Sequence, residues 1–235
     1  MTFCVIIPTY NNAATLPQVL DRTLAVLPDV IVVNDGSTDA TASILEDYQR
    51  NGRVSVIGYR RNRGKGYALR KGLAEARERQ FTFAVTLDAD GQHFPEDIPL
   101  LQAAVEQCSS ESVLAVGSRN LTADGMPKSN TFANRFSNFW FRLQTGVRLP
   151  DTQTGFRAYP LKHLPPLWLL SHRYESELEL LVFSAWRGVR LLPVPVRVCY
   201  PEDRVTHFRP FADFARISIL NTILCFAAIF CRRKV

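Results

Sequence analysis

Short apolar runs alternate with segments of helical periodicity from the first residues to about residue 118. Phe3–Ile7, Val30–Val33, Val54–Tyr59, Phe83–Leu87 and Val113–Val116 read as strands, being short, apolar and bounded by turn residues. Between them, Ala14–Leu27, Thr41–Tyr48, Ala68–Ala76 and Asp97–Val105 predict helices; in the third of these, Leu69, Leu73 and Ala76 fall on one face. Strands alternating with helices predict an α/β fold, a mostly parallel central sheet flanked by helices on both faces. Ligands of such sheets sit beyond the carboxyl ends of the strands. The polar segments Pro8-Thr9-Tyr10-Asn11-Asn12, Asn34-Asp35-Gly36-Ser37 and Asp88-Ala89-Asp90-Gly91-Gln92 all fall at those ends, so three loops converge on one rim.

Farther along, the pattern is less regular. Phe132, Phe136, Phe139, Trp140 and Leu143 share one helical stripe with Arg135 and Arg142 interleaved, and core packing is the simpler reading of that stripe. Glu175–Trp186 predicts a further helix, and Val189–Leu192 and Val194–Cys199 predict short strands split by prolines. No repeat or linker divides the chain, which gives one α/β domain over residues 1–210 and a C-terminal membrane-associating or amphipathic helix over 211–235. Its segment Ile217–Cys231 is apolar apart from Ser218, Asn221 and Thr222, and Arg232-Arg233-Lys234 follow. A spanning helix needs about 20 apolar residues, so this one is short. A helix lying on an anionic membrane, its basic end on the headgroups, is preferred over a buried core helix.

Composition narrows the class. A chain of 235 residues can bury a substantial core. A hydrophobic content of 46% with 21% charged residues is that of a globular protein and excludes disorder. Cys4, Cys108, Cys199, Cys225 and Cys231 are scattered with no Cys-x-x-Cys pair, which argues against a disulfide framework or zinc site and suits a reducing compartment. Met1-Thr2-Phe3-Cys4 runs into an apolar strand with no basic leader, predicting no signal peptide. The net charge of +6 points to an anionic partner such as phosphate, lipid headgroup or nucleic acid, although a solvated basic surface reads the same way.

Asp88-Ala89-Asp90 carries the clearest chemistry. Two carboxylates one residue apart at a strand end suit a hard divalent cation, since Mg²⁺ takes one or two protein carboxylates and completes its shell with water and phosphate oxygens. Gln92 adds a neutral oxygen, and Gly91 permits a tight turn. In Asn34-Asp35-Gly36-Ser37-Thr38-Asp39, one of the last three residues caps a helix, or Asp35 meets the donors of a base or ribose. Pro8-Thr9-Tyr10-Asn11 is a turn, or a clamp packing Tyr10 against a base. Gly58-Tyr59-Arg60-Arg61-Asn62-Arg63-Gly64-Lys65-Gly66 fails as a phosphate loop because that motif needs four residues between its glycines and Ser or Thr after the lysine. Followed by Tyr67, it also lacks the third glycine of a dinucleotide fingerprint. Its simpler task is to open a helix near a nucleotide, with Lys65 available to phosphate. His93 and His207 read as loop contacts rather than metal ligands, since no second histidine sits at ligand spacing.

Taken together, Ile6-Ile7-Pro8-Thr9-Tyr10-Asn11, Val32-Val33-Asn34-Asp35-Gly36-Ser37-Thr38-Asp39, Asn62-Arg63-Gly64-Lys65-Gly66 and Leu87-Asp88-Ala89-Asp90-Gly91-Gln92-His93 resemble the inverting glycosyltransferase family 2, of GT-A fold, in that family's order. Gly117-Ser118-Arg119, Asn134-Arg135 and Asp151-Thr152-Gln153-Thr154-Gly155-Phe156-Arg157 resemble its branch of dolichol-phosphate mannose synthases and polyprenyl-phosphate glycosyltransferases. The resemblance runs to about residue 200. It implies that Pro8, Tyr10, Asn12 and Asp35 line a nucleotide pocket, that Asp88-Ala89-Asp90 faces ribose and metal (Mg²⁺ or Mn²⁺) with Gln92 completing the shell, and that Arg119 and Arg135 meet phosphates. Thr206-His207-Phe208-Arg209 falls where related enzymes have a mobile loop, which would bring Arg209 to the donor. Asn12 stands where mannose synthases usually have Glu, and Asn34 where many members have Asp, so donor base and sugar stay open between GDP- and UDP-sugars.

The resulting expectation is transfer of a sugar from a nucleotide donor to a lipid-linked acceptor, led by polyprenyl phosphate, at the cytoplasmic side of a membrane and without nucleic acid. A lipid phosphate is already anionic and needs only cations, with Arg135, Arg157 and Arg209 as candidates. A hydroxyl acceptor needs a carboxylate base within about 3 Å, from Asp151, Glu175 or Glu177. Outside this class stand a nucleotidyltransferase, for which no triphosphate loop is evident, and a non-catalytic binder on the same fold.

Overall fold

The computed structural model describes residues 1–108, 110–119, 128–199 and 210–231. Strands β1 (Phe3–Thr9), β2 (Val30–Asn34), β3 (Ser55–Gly58), β4 (Phe83–Thr86), β5 (Val113–Ser118), β6 (Arg157–Pro160) and β7 (Arg190–Pro195) form one sheet in the order β3-β2-β1-β4-β6-β5-β7. β6 runs antiparallel to both its neighbours, β4 and β5, and the other pairs are parallel. The carboxyl ends of β1, β2 and β4 therefore open on one rim, as their hydrophobic runs and polar ends imply.

Both faces of the sheet are covered, and strand alternation sorts the side chains between them. Val5 and Ile7 of β1 enter a core with Leu16, Val19 and Leu20 of α1 (Leu16–Val26), Leu45 of α2 (Thr41–Arg50), and Ile98, Leu101 and Val105 of α4 (Ile98–Gln107). Cys4 and Ile6 enter the other, with Leu69 and Leu73 of α3 (Lys65–Glu78), Phe141 of α5 (Lys128–Thr145), Leu180 and Leu181 of α6 (Glu175–Trp186) and Leu224 of α7 (Pro210–Cys231). Each such large side chain contributes about 1.5–3 kcal/mol when fully buried.

Three features depart from the expectation. The segments read as two strands around Pro193 are the single strand β7. The backbone amides of Arg190 and Val196 donate to Ser112 and Ser118 on the β5 side, so the odd-numbered residues between them face the open edge. Pro193 and Pro195 occupy that edge, where their missing N–H groups cost nothing and blunt further pairing. β6 carries no periodic signal because it has four residues, starts with Arg157 and ends with Pro160. The stripe on α5 read as core is largely turned outward: Phe139 and Leu143 are exposed, while Asn134, Ser137, Phe141, Gln144 and Thr145 are buried. This inversion is tolerated because each inward polar side chain finds at least one partner. Asn134 Nδ2 donates to Asp151, Ser137 Oγ lies 2.7 Å from Thr152 Oγ1, and Gln144 Nε2 donates to Asn221 Oδ1 at 2.9 Å.

α7 packs on α5 and α6 through Asn221, Leu224 and Ala228, leaving Ile219, Ile223, Phe226, Ile229 and Phe230 exposed. Among the described residues, no helix is long and apolar enough to cross a membrane. The basic run Arg232-Arg233-Lys234 lies outside the described residues.

Candidate active site

The first two rim loops are stitched together before any ligand is considered. Asn11, in a left-handed backbone conformation (φ 53°), receives Thr38 N on Oδ1 at 2.8 Å, and its own N–H donates to Ser37 Oγ at 3.0 Å. Asn12 Oδ1 accepts from Tyr10 N at 3.2 Å and Asn12 N donates to Thr41 Oγ1 at 3.1 Å. Asn12, expected on the nucleotide, thus spends its carbonyl oxygen shaping the turn that presents Tyr10. Pro8 and Tyr10 are both partly exposed on this rim.

Asp35 is likewise engaged by the chain. Its carboxylate accepts from the backbone amides of Arg63 at 2.7 Å and Gly64 at 2.9 Å, which leaves the residue 3% exposed. A candidate partner for base or ribose donors, it pins the start of α3 beside β2. Gly66 follows because α3 and α6 begin in contact: a Cβ there would lie 2.6 Å from the Arg173 carbonyl oxygen and closer still to Ser176 Oγ.

That contact brings Lys65 to the acidic loop. Lys65 Nζ lies 2.7 Å from Asp88 Oδ1, 3.0 Å from Asp88 Oδ2 and 3.1 Å from Glu177 Oε1. Burial alone would lower the lysine pKa, but the charges of Asp88 and Glu177 outweigh it and raise it. Burial likewise opposes ionisation of Asp88, and Lys65 overrides it, holding that carboxyl below its ordinary range. Asp90 has no such partner among the described residues: burial first, and the charge of Asp88 second, push it up to about 6. Its Oδ1 accepts from Gln92 N at 3.0 Å, and the Ala89 carbonyl between the two aspartates accepts from Thr15 Oγ1 at 2.6 Å, at the start of α1. The loop therefore concentrates negative charge that Lys65 only partly offsets. Among the described residues no three His, Cys, Asp or Glu side chains gather into a metal cluster. The donor set fits a hard cation taking one carboxylate from the protein and the rest of its shell from water and phosphate.

A second group lies across β5 and the segment before β6. Asp151, 0% exposed, accepts from Arg119 Nε at 2.5 Å and Nη2 at 2.9 Å, Asn134 Nδ2, and the backbone amides of Gln153 and Thr154. Burial would raise its pKa, and the arginine pairing wins and lowers it. A carboxylate so saturated anchors Arg119. Arg135 is exposed on the same helix as Asn134. The charges of Asp88, Arg119, Lys65 and Asp151 all reach His93, whose pKa burial lowers to about 4. His93 packs on Phe156 with ring centroids 5.3 Å apart.

Arg157 is a correction. It was read as a cation for an acceptor phosphate, yet it is fully buried and donates to Tyr159 Oη, the Glu177 carbonyl and the Thr152 carbonyl. Glu175, at the start of α6, stands outside the lysine cluster, and its Oε2 is buried with no hydrogen-bond partner among the described residues. Its neighbour Glu177 makes the site contact instead. Arg209 and His207 lie outside the described residues. Sequence reading missed Thr15 and Gly155; a lone threonine before a helix signals only a cap, and Gly155 is visible only as part of Thr152-Gln153-Thr154-Gly155.

Comparison with known proteins agrees with this architecture. The family described as Glycosyl transferase family 2 matches residues 4–163. The undecaprenyl-phosphate mannosyltransferase of Micrococcus luteus is 31% identical over 83% of this chain and 83% of its own. A UDP-N-acetylglucosamine–dolichyl-phosphate N-acetylglucosaminyltransferase of Methanococcus voltae is 31% identical over 84% of this chain and 86% of its own. Among solved structures, glucosyl-3-phosphoglycerate synthase of Mycobacterium tuberculosis, crystallised with Mn²⁺, UDP-glucose and phosphoglyceric acid, superposes with a TM-score of 0.65 at 20% identity, covering 97% of this chain and 79% of that one. The chain belongs to glycosyl transferase family 2. It is a glycosyltransferase with a GT-A-like fold.

Proposed function

We propose that this glycosyltransferase moves a sugar, with inversion, from a GDP- or UDP-sugar to a polyprenyl-type lipid phosphate, with Mg²⁺ or Mn²⁺ as cofactor. The observation that carries the acceptor assignment is the saturation of Asp151: this candidate base is spent on Arg119, which favours a nucleophile that arrives ionised. The names of the relatives in Micrococcus and Methanococcus support the same acceptor class.

In this reading the loops carrying Pro8, Tyr10 and Asn12 hold the base, and Asp88 meets the ribose. Asp90, with Gln92 beside it, would hold the cation, whose chemistry there would be Lewis-acid stabilisation of the leaving diphosphate; the Mn²⁺ crystallised with the mycobacterial synthase supports that choice. Arg119, held flat by its paired contacts to Asp151, offers planar charge-assisted donors to phosphate, and Arg135 offers a second cation on the acceptor side. At an effective dielectric near 20, one charge pair at about 4 Å is worth about 4 kcal/mol in direct Coulomb terms, so two such contacts stabilise a useful share of the charge that develops. His93, kept neutral by burial, adds no competing charge between the two groups.

The membrane is the second partner in this proposal. Phe139 and Leu143 of α5 join the five exposed apolar residues of α7 in a surface far more apolar than solubility requires. A bilayer interface on the cytoplasmic side, where a lipid phosphate presents its headgroup, fits that surface.

Incubation with radiolabelled nucleotide sugars, polyprenyl phosphate and Mg²⁺ or Mn²⁺ tests the assignment. Label enters the lipid fraction with wild type and not with Asp90→Asn. Slow donor hydrolysis without labelled lipid would refute the acceptor, and loss of transfer in Glu175→Gln with donor binding intact would favour a hydroxyl acceptor instead. No reaction with any nucleotide sugar would sink the donor assignment.

A further inference from the structure

Glu177 has no task in the scheme above, yet it is built into the site from both ends. Its side chain meets Lys65 Nζ at 3.1 Å, and its backbone carbonyl accepts from Arg157 Nη1 at 2.7 Å. Arg157 Nη2 in turn donates to the Thr152 carbonyl at 2.9 Å, next to the Asp151 that holds Arg119. Glu177 thus reaches, through Lys65 and Arg157, the acidic loop and the segment behind Arg119.

Lys65 offers three protons, and the oxygens around it are the two of Asp88 and one of Glu177. The lysine comes from the first residue of α3, the aspartate from the loop after β4 and the glutamate from the first turn of α6. Gly155 closes the remaining side. A Cβ there would lie 2.8 Å from Asp88 Oδ2, 3.1 Å from Glu177 Oε1 and 3.2 Å from Lys65 Nζ. The absent side chain lets all three charged groups share one small space. Folding alone gives little reason for such a cluster, since well-packed apolar groups often serve as well as a buried ion pair. What the cluster does achieve is to grip both oxygens of Asp88 and, among the described residues, leave Asp90 as the carboxylate without a paired cation.

We propose that Glu177 is a positioning residue of the donor site: acting through Lys65, it holds the Asp88 carboxylate in one orientation toward the nucleotide, so that the cation is left to Asp90. This rests on the donor reading given above. With Glu177 neutral, Lys65 keeps one carboxylate partner in place of two and swings together with Asp88. Misplacement of a substrate-positioning group by about 1 Å costs on the order of 100-fold in turnover.

The test is a double-mutant cycle of Glu177→Gln and Lys65→Met, read by GDP and UDP titration in the presence of Mg²⁺ and by steady-state transfer to polyprenyl phosphate. Glu177→Gln should weaken binding of the preferred nucleoside diphosphate about 10-fold, raise the donor KM and leave the lipid KM unchanged, whereas in the Lys65→Met background it should have almost no further effect, as for residues acting in one unit. Glu177→Asp, which keeps the charge, should recover part of the affinity. Unchanged nucleotide affinity in folded Glu177→Gln, or effects that simply add across the cycle, would overturn the proposal. A change confined to the lipid KM would overturn it as well, by placing Glu177 on the acceptor side. If Glu177→Gln does not purify folded, the cycle is run with Glu177→Asp and the same criteria. Wild type that binds neither diphosphate would refute the donor reading itself, a result separate from any failure of Glu177.

Discussion

Asp151 shows how a charged residue is kept inside this protein. It is fully buried, and the bidentate Arg119 guanidinium, Asn134 and two backbone amides surround it. Removing one partner of such a pair leaves the other buried and uncompensated. Asp151→Ala is therefore expected to cost about 3–5 kcal/mol in urea unfolding. The pH dependence follows from the lowered pKa. A carboxyl depressed in the folded state stabilises above its unfolded pKa and loses that contribution as pH falls through the folded value. The melting temperature of wild type should accordingly drop from below about pH 5, and its advantage over Asp151→Asn should shrink over the same interval. A gap that stays constant from pH 7 to acid would contradict the assignment. At this scale the sequence revealed residue types and spacing but not partners. Asp35 and Arg157 carry the chemistry of ligand contacts, and only the folded chain shows what they meet within the protein: the amides of residues 63 and 64 for the one and three groups in the core for the other.

At the scale of elements, the touching starts of α3 and α6 create the lysine cluster, and Gly66 permits the approach. Gly66→Ala would drive a methyl into the Arg173 carbonyl and Ser176 Oγ. Backbone cannot give way as a flexible side chain can, so the variant should lose about 1–3 kcal/mol as an overpacked site does. Its nucleoside diphosphate affinity should fall as well, because Lys65 moves with α3. A variant with wild-type melting and affinity would show that the helices part freely. Among elements, β1, β2, β4 and the helices that follow β1 to β4 were legible, since each carries an apolar run or period and ends in turn residues. β6, as short as β4, was not, because it starts with an arginine and ends with a proline and so shows no apolar run. The face of α5 was read in reverse, because period alone marks an apolar stripe as buried and cannot know that the polar stripe has partners in Thr152, Asp151 and Asn221.

For the whole molecule, α5 and α7 each turn large apolar side chains outward, with Phe226 67% and Phe230 88% exposed. Side chains so exposed in the free protein contribute little to folding, so Phe226→Ser with Phe230→Ser should change stability by less than about 1 kcal/mol. Sedimentation with vesicles of phosphatidylcholine and phosphatidylglycerol should nevertheless fall at least about 10-fold, since burying each aromatic in the interface is worth about 1.5–3 kcal/mol. Equal sedimentation of variant and wild type would remove the bilayer from the list of partners. The sequence by itself determined the α/β architecture, the strand ends that form the rim and the Asp88-Ala89-Asp90 loop, because those rest on local periodicity and on residues adjacent in the chain. Only the tertiary structure decided which charges meet: Lys65 with Asp88 and Glu177, Asp151 with Arg119, and the side of α5 that faces water. Those pairings join residues separated by up to about a hundred positions, and their energies depend on burial and geometry that no local pattern encodes.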